Sequence, residues 1–220
     1  MLVRDVTPTL IEVEGRAVAP RSTQAYLGIV TQVWAPKRWG PFVRKHWDYG
    51  PEHAVAILEL EIEVDDQSGE DCALFPVLRI IFKPGSWKGS SFADLAGQTF
   101  VEGVDPVKFE AHYGNDAPHF ENNRVQFHAG AEPGQLQLYW QAQYRWYPND
   151  APEPFRFSGP IRIQGLWLDV MRDEDAAPIV AAAMPGFALH SLAPPVITDE
   201  DRTAFVPKKF AHWRVHWYAA

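Results

Sequence analysis

The sequence predicts a mainly β fold: a single-domain antiparallel β-sandwich or barrel over residues 1–220, with a few short helices in its connections. Three observations predict it. Apolar residues recur at every second position in several segments, nineteen prolines and fifteen glycines break the chain every ten to twenty residues, and helical signals are short and few. A chain of 220 residues buries roughly 70–75% of the surface it exposes when unfolded, so core size does not limit folding. No fixed-period repeat, low-complexity tract or dividing linker interrupts it.

The first clear element is HAVAILELEIEVDD at 53–66, where Leu58, Leu60, Ile62 and Val64 alternate with Glu59, Glu61 and Glu63. That alternation is a strand with one face in the core and one in water. FPVLRIIFK at 75–83 is a second strand. Ser90 and Ser91 before FADLAG predict a capped turn or two of helix ended by Gly97, and Asp105-Pro106 before VKFEAHYG predicts another helix closed by Gly114. RVQFHA at 124–129, QLQLYWQAQYRWY at 135–147 and FRF at 155–157 return to strands. In the long one, Leu136, Leu138, Trp140, Ala142, Tyr144 and Trp146 form the apolar phase.

In IRIQGLWLDVM at 161–171 the apolar phase switches after Gly165, which predicts a β-bulge. DEDAAPIVAAAMPG at 173–186 is the best helix of normal length, and Thr198 with Asp201 resembles a capping box for one more turn.

The terminal FAHWRVHWYAA poses a choice. As a helix it would set His212 and His216 one turn apart on one face, the spacing of a zinc pair. As a strand it places them ~13 Å apart at ~3.3 Å per residue, too far for one ion with ligand bonds near ~2 Å. Val, Trp and Tyr favour strands, Trp213, Val215 and Trp217 alternate with His212, Arg214 and His216, and Trp213 occupies the place of the zinc-protease glutamate. The expectation is a C-terminal strand and no metal, with a polar face of His212, Arg214 and His216 that is solvated or directed into a pocket. A solvent-facing terminal strand could also pair across a homodimer.

Composition narrows the function classes. The net charge of −8 has an address: residues 1–50 carry +3, residues 51–72 carry −8 with no Lys or Arg, and the rest carries −3. Such a field opposes general binding to nucleic acid or anionic membrane. The charged N-terminal stretch lacks the apolar core of a signal peptide, and no run reaches the ~20 apolar residues of a membrane span. Cys72 is the single cysteine, so neither an intrachain disulfide nor a thiolate cage can form. The expected location is the cytoplasm, and no cofactor is expected. GxSxG, HExxH and Gly-rich phosphate loops are absent. GSWKG at 85–89 is similar to the G-x-W signature of lipocalin-type barrels, but it follows about the third strand rather than the first, and no family is assigned on it.

Nine Trp, thirteen Phe and seven Tyr exceed the needs of a typical core. WAPKRWGPFVRKHWDY at 34–49 interleaves Trp34, Trp39 and Trp47 with Lys and Arg in a loop marked by Pro36, Gly40 and Pro41, a mixture that interface hot spots contain. Two readings follow. The first is a non-enzymatic inhibitor or immunity-type protein that engages a basic protein partner through Glu59, Glu61 and Glu63 and through Trp34, Trp39 and Trp47. The second is an aromatic-lined pocket around Trp140, Tyr144 and Trp146 for a small apolar or carbohydrate ligand, with His212, Arg214 and His216 as weak acid–base candidates; whether the chain is an enzyme stays open.

Overall fold

A computed structural model describes residues 10–13, 16–30, 33–34, 47–48, 54–64, 76–83, 85–113, 119–145, 147, 149–171, 176–199 and 212–219. In chain order the strands are β1 (Leu10–Val13), β2 (Arg16–Val18), β3 (Pro20–Val30), β4 (Val33–Trp34), β5 (Trp47–Asp48), β6 (Val55–Val64), β7 (Pro76–Phe82) and β8 (Thr99–Val101). There follow β9 (Val107–Tyr113), β10 (His119–Ala129), β11 (Leu136–Arg145), β12 (Glu153–Ile161), β13 (Ile163–Met171), β14 (Val196–Asp199) and β15 (His212–Tyr218). One α-helix, α1 (Ala176–Ala183), and short 3-10 turns at Phe92–Leu95 and Leu189–Ser191 lie in the connections.

The strands form a six-stranded sheet in the order β2-β1-β12-β11-β10-β8 and a seven-stranded sheet in the order β14-β15-β13-β3-β6-β7-β9. The predicted mainly β class is what the structure shows, and the two sheets pack as an open sandwich rather than a closed barrel. The chain divides into two compact units. Unit 1 comprises Met1–Ala25, Leu58–Ile81 and Ser91–Ile163; unit 2 comprises Tyr26–Ile57, Phe82–Ser90 and Gln164–Ala220.

Unit 1 contains the whole six-stranded sheet and, facing it, parts of β3, β6 and β7 together with β9. Alternation in β11 is strict, with Leu136, Leu138, Trp140, Ala142 and Tyr144 buried. Leu58, Leu60 and Ile62 of β6 are buried likewise, and Glu59 and Glu61 between them face away from the core. A void of about 10 Å³ between the sheets is lined by Leu58, Leu60 and Ile80 on one side and Phe127, Leu138 and Ile161 on the other. That is at the lower limit for one water molecule, and the lining is apolar.

Unit 2 is built on β13, β14, β15 and the adjoining halves of β3 and β6. Trp87, in the GSWKG segment, is buried edge-on against Phe82 and Phe187 at 5.2 and 6.2 Å and donates its indole N–H to the Gly89 carbonyl at 2.6 Å. Helix α1 buries Ile179, Val180 and Ala183, and the chain turns after it through Gly186 at φ +82. Gly165 lies against β15 so closely that a Cβ there would stand 2.3 Å from the Trp217 carbonyl oxygen.

Several sequence expectations are corrected. VKFEAHY is strand β9, not a helix, because Val107 and Phe109 are buried while Lys108 between them is exposed, a period of two that the proline and glycine punctuation had obscured. Asp105 instead folds a turn, its carboxylate accepting the Val101 N–H at 2.7 Å. The capped turn expected at FADL is present as a single 3-10 turn, whose Asp94 carboxylate accepts the Ser91 N–H at 2.9 Å.

Thr198 belongs to strand β14 rather than to a helix cap, and Asp201 lies outside the described residues. The apolar phase does switch at Gly165, where Ile161, Ile163, Gly165, Leu166 and Leu168 are all buried, yet pairing with β15 runs without a shift from Gly165 to Met171. The switch accompanies passage of the chain from the six-stranded to the seven-stranded sheet around Arg162. The terminal segment is a strand, as expected. It is not an edge: β13 and β14 flank β15 on its two sides.

Candidate functional site

The aromatic face of β11 is a closed packing unit. Trp140 is 0% and Tyr144 1% exposed. Phe120 of β10 contacts Trp140, Tyr144 and Phe155 at centroid distances of 5.3, 6.0 and 5.1 Å, and Trp140 meets Phe155 at 4.5 Å. A buried indole needs a partner for its N–H. The chain supplies one through a bulge. Pairing of β10 with β11 shifts between Glu121 and Arg124, Asn122 adopts φ 57, and Asn123 turns into the core at 1% exposure.

The Trp140 indole N–H then donates to Asn123 Oδ1 at 3.0 Å, while the Asn123 amide and backbone N–H groups both donate to Glu102 Oε2, at 2.9 and 3.0 Å. Every polar atom of Asn123 is occupied. Sequence reasoning missed Asn123, although the pair Asn122-Asn123 breaking an alternating segment is the kind of signal a bulge leaves. The expected pocket residues Trp140 and Tyr144 thus touch other rings of the core, and Trp146 lies outside the described residues.

The acidic candidates sit on β6. Glu59 and Glu61 lie on the face opposite the core, Glu61 exposed and Glu59 ion-paired with Arg79 of β7. Arg79 was not foreseen; its place between Leu78 and Ile80 in the alternating VLRIIF is the signal that sets it beside β6. Of Glu63 only the backbone position is described.

Trp34 and Trp47 are cross-strand partners in the two-residue ladder of β4 and β5, so the expected loop at 34–49 is closed at its base; Trp39 lies outside the described residues. Along β15, Val215 and Trp217 are buried and His216 is half-buried, its ring stacked on Tyr218 at 6.0 Å and 11°. His212 and Arg214 occupy the strand positions opposite Met171 and Asp169, and only their backbone is described. Among the described residues no group of three or more His, Cys, Asp or Glu side chains could hold a metal ion, and no helix is long and apolar enough to cross a membrane.

In comparisons with known proteins the chain matches no protein-family model, no curated protein and no solved structure. Its function is therefore argued from its own residues.

Proposed function

We propose that this chain is a non-enzymatic binding protein of the inhibitor or immunity type, acting in the cytoplasm on a basic protein partner. The observation that carries the reading is the concentration of eight acids without a Lys or Arg across residues 51–72, part of it on the face of β6 turned away from the core. Complementary charge of that density accelerates encounter and selects the partner, while an aromatic centre such as the Trp34 and Trp47 pair at the base of the 34–49 segment supplies affinity. Arg79 offsets the charge of Glu59.

The test is capture on the immobilised chain from lysate of its source cell, at low and moderate salt, followed by association kinetics of the retained protein with wild type and with Glu61→Gln. A basic protein released as salt rises, and associating several-fold more slowly with the variant at low salt, is the expected result. Retention of no basic protein at either salt, or an unchanged association rate, removes the reading.

A further inference from the structure

We draw no further inference here: the strongest candidate, the aromatic outer face of the seven-stranded sheet in unit 2, where the Trp167 indole lies over Gly28 and the His216 ring stacks on Tyr218, carries nothing because the structure does not show what covers it.

Discussion

The two outer faces of unit 1 rest on the same kind of alternating strand and differ in what their polar groups do. On the seven-stranded sheet the charges answer one another: Glu59 with Arg79 across β6 and β7, and Lys108 with Glu110 along β9 at 2.6 Å. On the six-stranded sheet Arg156 pairs with Glu12 and Arg145 with Glu121 in the same way, but Arg124 and Gln141 stand among β10, β11 and β12 without a side-chain partner among the described residues. What separates the two faces is that Arg124 and Gln141 leave hydrogen-bonding groups to water.

The sharpest way to break the comparison is to remove the floor beneath the second face. Trp140→Ala should cost about 3–5 kcal/mol of stability, the range for deleting a buried large aromatic, read as a fall in the urea midpoint. Next comes the bulge that places Arg124 in register. Asn123→Ala leaves the Trp140 indole N–H without an acceptor and Glu102 with the backbone N–H of residue 123 alone, and a loss of about 1–3 kcal/mol is expected. A loss no larger than that of an exposed alanine substitution would show that the bulge is held by backbone geometry alone.

The ion-paired face should yield less. Arg79→Gln is expected to lower stability by about 0.2–1 kcal/mol, with the difference shrinking as salt is raised, because Arg79 is 39% exposed and its pairing is screened. Smallest of all, Gln141→Ala should leave the melting temperature unchanged, since that side chain contacts solvent and contributes no bond to the fold. A clear drop for Gln141→Ala would erase the distinction between the faces.

The period-two segments were legible because one face of each strand is core and the other water, a contrast that hydropathy records directly. This placed β6, β7, β11 and the terminal β15. Strand β9 escaped because Asp105-Pro106 and Gly114 frame it like a helix, and local punctuation outweighed a period only three apolar residues long.

The candidate site was legible only in part. Glu59 and Glu61 were placed on the correct face, yet the Arg79 partner required knowing that β7 lies beside β6, which no local pattern encodes. Trp140 and Tyr144 looked too bulky for packing until Phe120 and Phe155 were found against them, contacts made across strands distant in sequence.

Strand β1 pairs with β12, Leu10 opposite Ser158 and Val13 opposite Phe155, so the N-terminal strand finds its neighbour almost the full length of unit 1 away in sequence. During synthesis at ~5–20 residues per second β1 emerges long before β12 exists, and for that interval it and β2 have each other alone to pair with. Contacts so distant in sequence place the fold among the slow class. A ribosome-bound chain is therefore most exposed to mispairing until β12 has cleared the exit tunnel, and a premature stop before Glu153 strands β1 and β11 as open edges.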